Sequence, residues 1–442
     1  MFRRKIYDKM LKWKEESNGK TALLIEGPRR VGKSTIVEEF AKNEYESYIF
    51  VDFYRASLAI KQLFEDLSDL NYIFLQLQLT YQKSLVVRKS CIVFDEVQLC
   101  PQARQALKAL VQDGRYDYIE TGSLISIHKN VKDILIPSEE RKLSMYPMDY
   151  EEFRWALGDK VSVDMIRLFY ENKKPLGQAT NRKMLRDFRI YMLVGGMPQA
   201  IETYKQTNDL SKVDTTKRDI LSLYEDDFRK IDPTGSLSAL FDAIPAQLMG
   251  NACRYQVSSV LKNNRANGIL QKIAELKDSG TVLVAYHAND PSVGMAQNKG
   301  LSRFKLFIAD TGLFVTLAFK DKNYTDNEIY SRLLGDTLPA NLGYIYENMI
   351  AQTLATNGHE LYYYTFLNEK SNHNYEIDFL IAMKNKICPI EVKSSGYKTH
   401  ASIDAFSLKF SSRIIRKILI NTKDYMRDND LEYLPVYMAQ LL

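Results

Sequence analysis

Short apolar runs alternate with stretches of helical periodicity over the first 150 residues of the chain. Each apolar run ends at polar or glycine-containing sequence, which is typical of strands that are buried on both faces. Apolar residues at helical spacing occupy 34–42 and 58–83. Strands that alternate with helices predict an α/β fold with a doubly wound, largely parallel sheet. The predicted strands lie at residues 22–25, 48–53, 91–94, 116–119 and 142–148.

The pattern changes after residue 150. Residues 150–235 are helical in periodicity and rich in charge. Two helical segments, 256–261 and 268–278, then precede two strand-like segments, 281–286 and 304–308, and this order is that of a winged helix. The remainder of the chain predicts a helix, several strands and a further helix. We therefore predict four domains, at 1–150, 151–250, 251–325 and 326–442.

The sequence Gly-x-x-x-x-Gly-Lys-Ser stands between the first predicted strand and the helix that follows it. Gly27 and Gly32 allow backbone N–H groups to turn inward around phosphates, and the helix N-terminus adds partial positive charge. We expect Lys33 to reach the β- and γ-phosphates of ATP and the Ser34 hydroxyl to ligate Mg²⁺. The residues predicted to bind the nucleotide are Gly27, Pro28, Arg29, Arg30, Val31, Gly32, Lys33, Ser34 and Thr35.

The predicted strand at 91–94 ends in two carboxylates, Asp95 and Glu96. A metal-bound triphosphate needs a carboxylate at a strand end beside the phosphate loop, so we expect Asp95 to hold Mg²⁺ through water. Glu96 is expected to polarise the attacking water as a general base. The next strand leads to Thr121 and Ser123, either of which can hydrogen-bond the γ-phosphate or the water, with simple turn chemistry as the alternative. The pattern predicts an enzyme that hydrolyses ATP.

A second group of polar residues lies near the C-terminal end, where two strand patterns flank a predicted turn at 384–385. A turn centred there places Asp378 opposite Glu391, and strand alternation puts Lys393 on the same face. Asp378 and Glu391 can then hold Mg²⁺ while Lys393 orients water or stabilises developing charge, as in a metal-dependent phosphodiesterase. Glu347, on the preceding predicted helix, is a candidate third metal ligand. The alternative is a surface ion cluster in an inactive fold.

Composition changes this picture little. Lys and Arg number 60 against 55 Asp and Glu, a formal net charge of +5, which is compatible with nucleic acid but favours an ordinary mixed surface. The four cysteines form no Cys-x-x-Cys pair and predict free thiols in a reducing compartment. No apolar run approaches transmembrane length and no secretory apolar segment is evident. We expect a cytoplasmic protein with no membrane partner.

Several motifs occur in a fixed order: GPRRVGKST, CIVFDEVQ, ETGSLIS and RKLSMYPMDYEEF, then VGGMP, FIADTGL, EIDF and EVK. Over nearly the whole chain they resemble the bacterial and archaeal AAA-type ATPases that carry a restriction-nuclease-like C-terminal domain. The resemblance implies ATP and Mg²⁺ as cofactors. It also implies a sheet whose sensor strand lies between the phosphate-loop strand and the Asp-Glu strand. Ser123 would be the polar sensor, and Arg141 is a candidate arginine finger, which would require a homo-oligomer.

The C-terminal pattern resembles the restriction-endonuclease superfamily, whose signature is Asp followed by Glu-x-Lys, and this implies a mixed sheet with flanking helices. The leading hypothesis is Mg²⁺-dependent ATP hydrolysis coupled to a nuclease-like domain that binds or cleaves DNA or other nucleic acid. The alternative is an ATP-dependent switch or signalling ATPase whose C-terminal domain is a catalytically silent interaction module. The helix at 268–278 balances Lys272 and Lys277 against Glu275 and Asp278, so DNA contact and protein packing both remain open there.

Overall fold

The computed structural model describes residues 1–122, 139–250, 253–261, 266–321, 329–335, 342–368, 373–396 and 398–442. These residues form two compact units. Unit 1 comprises Met1–Tyr146 and Asp278–Gly280, and unit 2 comprises Pro147–Lys277 and Thr281–Leu442. Within the described ranges, no helix combines the length and the hydropathy that crossing a bilayer requires.

Unit 1 is built on a five-stranded, all-parallel sheet in the order β2-β3-β4-β1-β5. The prediction of a doubly wound parallel sheet is confirmed, and β4 does lie between the phosphate-loop strand β1 and the Asp-Glu strand β3. The strands are β1 Ala22–Glu26, β2 Ser47–Asp52, β3 Ser90–Asp95, β4 Asp117–Gly122 and β5 Glu140–Ser144. The helices are α1 Ile6–Ser17, α2 Lys33–Glu44, α3 Leu58–Gln62, α4 Leu70–Tyr81 and α5 Pro101–Asp113.

Helices cover both faces of the central strands of this sheet, and successive residues of a strand point to opposite faces. On β1, Leu23 and Ile25 pack in a core with residues of α1 and α2, while Ala22 and Leu24 pack in a second core with residues of α4 and α5. A strand covered on both faces reads as a continuous apolar run, which explains why the sequence pattern identified these strands.

The helical stretch predicted at 58–83 is two helices rather than one. Ser57 accepts a hydrogen bond from the backbone N–H of Ile60 and caps α3, and Asp69 accepts one from Tyr72 and caps α4. Asp and Ser favour the first position of a helix because their side chains satisfy backbone donors that lack helical partners. The Asp69 cap therefore starts a new helix inside a segment whose apolar spacing looked continuous.

The first part of unit 2 is helical, as the sequence predicted for residues 150–235. Its long helices carry buried apolar residues on one side, such as Ile220, Tyr224 and Phe228. The helices are α6 Tyr150–Ala156, α7 Ser162–Glu171, α8 Gln178–Val194, α9 Pro198–Thr207, α10 Leu210–Ile231, α11 Ser236–Asp242, α12 Ile244–Met249, α13 Val257–Val260 and α14 Ala266–Asp278.

The second part of unit 2 is a mixed eight-stranded sheet in the order β12-β13-β11-β10-β9-β8-β6-β7. Its helices are α15 Thr311–Ala318, α16 Ile329–Leu334, α17 Gly343–Thr356 and α18 Ala401–Lys409. Its strands are β6 Val282–Ala288, β7 Lys299–Ile308, β8 Tyr362–Leu367, β9 Asn374–Met383, β10 Lys386–Val392, β11 Lys417–Asn421, β12 Met426–Asp428 and β13 Leu431–Pro435.

The ribbon of β6 and β7, predicted as the wing of a winged helix, is part of this C-terminal sheet. β6 pairs with β7 in antiparallel fashion and with β8 in parallel fashion, through Tyr286 opposite Tyr362 and His287 opposite Tyr363. The predicted division at residue 325 therefore falls between strands that share one sheet. The winged-helix assignment itself stays a prediction.

Two of the family-like motifs meet in unit 2. The VGGMP segment turns between α8 and α9, and the FIADTGL segment joins β7 to α15. Asp310 caps α15 by accepting a hydrogen bond from the backbone N–H of Leu313 at 2.8 Å, and it also accepts one from Gly196. A side chain at Gly195 would collide with the Asp310 carboxylate, 2.3 Å from the position of its Cβ. These motifs therefore form a tight backbone joint.

Candidate nucleotide and metal sites

The phosphate loop, residues 27–34, connects β1 to α2 in unit 1. Gly27 has φ +155°, and a Cβ there would lie 2.3 Å from the carbonyl oxygen of Met145. Gly32 has φ +100° just before the helix. Both positions demand glycine, for space at the first and for backbone conformation at the second. The Nζ of Lys33 lies inside the loop, where it donates to the carbonyls of Gly27 at 2.9 Å and Pro28 at 3.0 Å.

A buried arginine outside the motif supports this loop from below. Arg4, which is 6% exposed, donates to the carbonyl of Val31 at 3.0 Å and to that of Tyr146 at 2.7 Å. It thereby ties the phosphate loop to the chain that follows β5. Sequence reasoning missed Arg4, because a basic residue near a chain start has no pattern that separates it from solvated neighbours such as Arg3.

The polar ends of two adjacent strands meet beside the loop. Asp95 ends β3, and its carboxylate accepts hydrogen bonds from Thr121 on β4 and from Ser34 at the start of α2. Thr121 Oγ1 in turn accepts from the backbone N–H of Glu96 at 3.1 Å. Burial raises the pKa of Asp95, and the hydrogen bonds from Thr121 and Ser34 oppose this rise. The structure thus brings together a hydroxyl and a carboxylate, the oxygen donors that Mg²⁺ prefers.

Glu96 follows directly with φ +54°, an uncommon backbone conformation for a residue with a side chain. The side-chain amide of Gln98 donates a hydrogen bond to Oε2 of Glu96. Such unusual conformations persist where the surrounding structure holds them, and they concentrate at functional sites. Here the conformation lies at the strand end where the general base is expected.

Two further predictions have different outcomes. Ser123, the expected sensor, lies outside the described residues. Arg141 lies on β5, opposite Leu23 of the neighbouring strand β1. Its side chain forms a 2.6 Å ion pair with Glu16 of α1. Arg141 is thus engaged on the surface of its own unit.

In unit 2 the hairpin predicted around residues 384–385 is present. β9 and β10 pair from Lys386 opposite Met383 to Ile390 opposite Phe379. One residue beyond this register, Asp378 accepts a hydrogen bond from the backbone N–H of Val392 at 2.7 Å. Glu391 forms a 2.8 Å ion pair with Lys393. The side chains at 378, 391 and 393 therefore lie at one end of the hairpin, as the sequence predicted.

Glu347 reaches this end from α17. Asn348, the residue after Glu347, holds this helix against the end of β7. Its side chain accepts a hydrogen bond from the backbone N–H of Ile308 at 2.9 Å and donates one to the carbonyl of Ile308 at 3.1 Å. One carboxylate oxygen each from Glu347, Glu376 and Asp378 lie within 4.8 Å of one another. This acid cluster, defined as Glu347, Glu376 and Asp378, is of a size and type that can hold a metal ion.

Sequence reasoning missed Glu376 and Lys305, which complete the surroundings of the acid cluster. Lys305 on β7 forms ion pairs with Glu347, at 2.8 Å, and with Glu376. Strand alternation was a usable signal for Glu376, since it lies two residues before Asp378 and shares its face. For Lys305 the signal was a single cation inside the apolar run of residues 304–308.

The charges of this site perturb one another strongly. Burial and repulsion from Glu347 raise the pKa of Asp378 well above its usual range, although Lys305 opposes the rise. Burial alone would lower the pKa of Lys305, but attraction to Glu347, Glu376 and Asp378 outweighs it and raises that pKa well above normal. The pKa of Lys393 is also raised: burial opposes the rise, but attraction to Glu391 and Asp378 outweighs it. Both lysines are therefore held in the charged form.

Three family descriptions match successive parts of the chain. Residues 19–154 match the AAA domain (AAA_14). Residues 185–324 match a domain of unknown function (DUF8612), and residues 342–438 match another (DUF4143). A search of curated proteins finds no match. The N-terminal part of the chain therefore carries an AAA-type P-loop ATPase domain, followed by two domains whose families have no described function.

Several solved structures are similar to this chain at low sequence identity. A Walker-type ATPase of Pyrococcus abyssi is 18% identical, with 72% of this chain and 96% of that chain covered and a TM-score of 0.40. The Orc1 protein of Aeropyrum pernix in complex with DNA is 12% identical, with 72% and 92% covered and a TM-score of 0.31. A signal transduction ATPase with numerous domains (STAND) from Pyrococcus horikoshii is 11% identical, with 78% and 47% covered and a TM-score of 0.26.

Proposed function

We propose that unit 1 binds ATP with Mg²⁺ and hydrolyses it. The observation that carries this proposal is the meeting of Ser34, Asp95 and Thr121 at the carboxyl edge of the sheet, beside the phosphate loop. Ser34 and Asp95 would hold the metal, directly and through water respectively, because both offer oxygen ligands. Bound Mg²⁺ would supply neutralising charge to the phosphates.

The residues of the chain have separate tasks in this proposal. Lys33 would exchange its bonds to the loop carbonyls for bonds to the β- and γ-phosphates. Glu96 would accept the proton of the attacking water, with its carboxylate held by Gln98. Thr121 would keep Asp95 oriented, and Ser123 is proposed as the polar sensor of the γ-phosphate.

Titration of ATP against the Lys33→Ala variant tests the binding half. Removing an ammonium that bonds phosphate is expected to weaken ATP binding by about ten- to a hundredfold, since hydrogen bonds to charged groups contribute about 1.5–3 kcal/mol. Lys42→Ala is the matched control, because Lys42 is an exposed lysine of the same helix. Equal ATP affinity in the Lys33→Ala variant and the wild type would contradict the proposal.

Turnover of the Glu96→Gln variant tests the hydrolytic half. This variant should bind ATP as tightly as the wild type and hydrolyse it about 10²–10⁴-fold more slowly, because it keeps the shape of the side chain but loses the base. The two halves separate cleanly: normal turnover with normal affinity would remove Glu96 from its role and leave the nucleotide site intact.

For unit 2 we propose a nuclease-like metal site that acts on nucleic acid. The convergence of Asp378, Glu391 and Lys393 at one hairpin end supports this proposal, together with the reach of Glu347 from α17. Asp378 and Glu391 would hold Mg²⁺ with Glu347, and Glu376, the remaining member of the acid cluster, offers a further oxygen ligand. Lys393 would orient water or stabilise the charge that develops on the phosphate.

The test is cleavage of single- and double-stranded DNA and RNA with Mg²⁺ or Mn²⁺, with and without ATP, beside Mn²⁺ binding to the same proteins. Asp378→Asn and Lys393→Ala should both abolish cleavage, and Asp378→Asn should also weaken Mn²⁺ binding. Asp428→Asn is the control, because it removes an exposed carboxylate from β12 of the same sheet. Intact nucleic acid after incubation with wild-type protein that hydrolyses ATP would contradict nuclease activity.

The second candidate is an ATP-dependent switch whose C-terminal domain is a silent interaction module. The ion pairs of Lys305 with two members of the acid cluster favour it, because a cation of the chain itself already offsets part of the negative charge of the site. In either case we propose a cytoplasmic protein with ATP as ligand, nucleic acid as a partner in the first case, and homo-oligomerisation as the condition for any arginine finger supplied in trans.

A further inference from the structure

Lys305 is a charged residue in a buried position. It is 5% exposed, on the edge strand β7, with its Nζ 5.6 Å from the centre of the Tyr363 ring. Burying an ammonium is costly unless it is paired and hydrogen-bonded. Its partners are Glu347 Oε1, at 2.8 Å, and Glu376 Oε1. The surroundings of the acid cluster are therefore built to hold this ammonium.

The partners of Lys305 are two of the three carboxylates that could hold a divalent ion. Glu347, Glu376 and Asp378 each place a ligand atom within 4.8 Å of the other two. Asp378 is oriented independently of the lysine by the backbone N–H of Val392. A metal ion bound by this cluster would thus draw on the same oxygen atoms that Lys305 contacts.

The site retains capacity for more positive charge. Glu391, which is 3% exposed, lies beside Asp378 and uses one oxygen for its ion pair with Lys393. Its buried Oε2 has no hydrogen-bond partner among the described residues. A buried acceptor without a partner is costly. Four acidic side chains thus surround two ammonium groups, and an additional cation would find an acceptor oxygen on Glu391.

We propose that Lys305 is a built-in counter-ion that competes with a divalent cation of the Mg²⁺ or Mn²⁺ class for Glu347 and Glu376. Like charges repel at such separations, so the ammonium leaves at least one of these carboxylates when the metal enters. Lys305 thereby raises the concentration of metal at which the site is half occupied. The inference rests on the metal site proposed above for unit 2.

Mn²⁺ titration of nucleotide-free, full-length protein by calorimetry tests the competition. Lys305→Met should bind Mn²⁺ at least about tenfold more tightly than the wild type, because a repulsive charge is removed from the cluster. Lys299→Met removes a cation from the same strand and should bind as the wild type does. Lys305→Met combined with Asp378→Asn should lose the gain. Lys305→Gln serves in place of Lys305→Met if the latter fails to fold.

A second measurement uses the wild-type protein alone. Acetylation of Lys305, followed by mass spectrometry, should accelerate when Mn²⁺ is saturating, because a displaced ammonium is more accessible. An acetylation rate of Lys305 that is the same with and without bound Mn²⁺ would overturn the competition. So would a Lys305→Met variant that binds Mn²⁺ with wild-type affinity while Asp378→Asn loses binding. The metal site itself would survive either result. If neither the wild type nor any Lys305 variant binds Mn²⁺ more tightly than Asp378→Asn does, the metal site is refuted, and the competition with it.

Discussion

At the scale of single residues, buried charges outside the motifs determine how the motif residues are held. Arg4 bonds two backbone carbonyls beneath the phosphate loop, and Lys305 pairs with carboxylates of the acid cluster. Neither residue belongs to a motif that the sequence analysis identified. Each is nevertheless held by at least two polar partners, so its loss leaves buried groups unsatisfied.

The Arg4→Met variant is predicted to destabilise unit 1 and weaken ATP binding. The carbonyls of Val31 and Tyr146 would lose their donor, at a cost of about 1–3 kcal/mol for a buried unsatisfied group. Urea unfolding and ATP titration of the same preparation measure both effects. Arg3→Met is the control, since Arg3 is the exposed neighbour. Equal behaviour of the two variants would show that the contact does not support the loop.

Lys217 predicts a pH dependence in unit 2. It is fully buried on α10 and donates to the carbonyls of Leu193 and Gly312, and burial lowers its pKa to about 8 despite attraction to Asp214 and Asp310. Since the unfolded chain then holds this proton more tightly than the folded one, stability should rise between pH 8 and the normal lysine range. A shift of this size corresponds to at most about 3 kcal/mol.

Urea unfolding at pH 7.5 and at pH 9.5, for wild type beside Lys217→Met, measures this contribution. The gain in the free energy of unfolding between the two pH values should be smaller in the variant, which has no such proton to release. Because other groups titrate equally in both proteins, the difference between the two gains isolates Lys217. Identical gains would contradict a lysine pKa lowered by burial.

At the scale of elements, close backbone contacts join helices and strands that are distant in the chain. A Cβ at Gly312 would lie 2.5 Å from the Cα of Gly195, and one at Gly196 would lie 2.2 Å from the carbonyl oxygen of Met148. The joint between the α8–α9 turn and the start of α15 therefore leaves no room for side chains. β7, which carries Lys305, runs into the same joint through Asp310.

The Gly196→Ala variant should destabilise unit 2 by about 1–3 kcal/mol, as overpacking commonly does, because backbone atoms of Met148 cannot yield as a flexible side chain can. Gly250→Ala is the matched control: its Cβ would meet nothing closer than 3.4 Å, and its φ of −73° suits alanine. The control should stay within about 0.5 kcal/mol of the wild type. Equal free energies of unfolding for the two variants, measured by thermal or urea denaturation, would refute the steric explanation.

At the scale of the whole molecule, the described chain consists of two units with separate cores, and each contains one candidate site. A ligand that binds only the folded form raises the stability of the unit that holds it. The distribution of sites over units therefore has a calorimetric consequence.

Scanning calorimetry with ATP and Mg²⁺ should raise the unfolding temperature of unit 1, and Lys33→Ala should remove that increase. Asp378→Asn should leave the nucleotide-dependent increase unchanged, because its site lies in unit 2. The two substitutions thus act as controls for each other. Loss of the ATP effect in the Asp378→Asn variant would show that the sites are not independent.

Sequence alone determined what depends on neighbours along the chain. The order of strands and helices in unit 1, the phosphate loop with Lys33 and Ser34, and the carboxylates ending β3 all follow from local periodicity and glycine placement. The hairpin of β9 and β10 was predictable too, because its short turn sets the pairing. The split of residues 58–83 into two helices was missed, although the Asp69 cap was visible in the sequence.

Tertiary structure alone decided which distant elements meet. The ribbon of β6 and β7 joins the sheet of the C-terminal strands, Arg4 reaches Val31, and Lys305 reaches Glu347 and Glu376. Periodicity assigns a side chain to a face of its own element but carries no information about the element packed against that face. For this reason the sequence identified Asp378, Glu391 and Lys393 as one group, while the pairing of Lys305 with the acid cluster emerged only from the contacts of its side chain with Glu347 of α17 and Glu376 of β9.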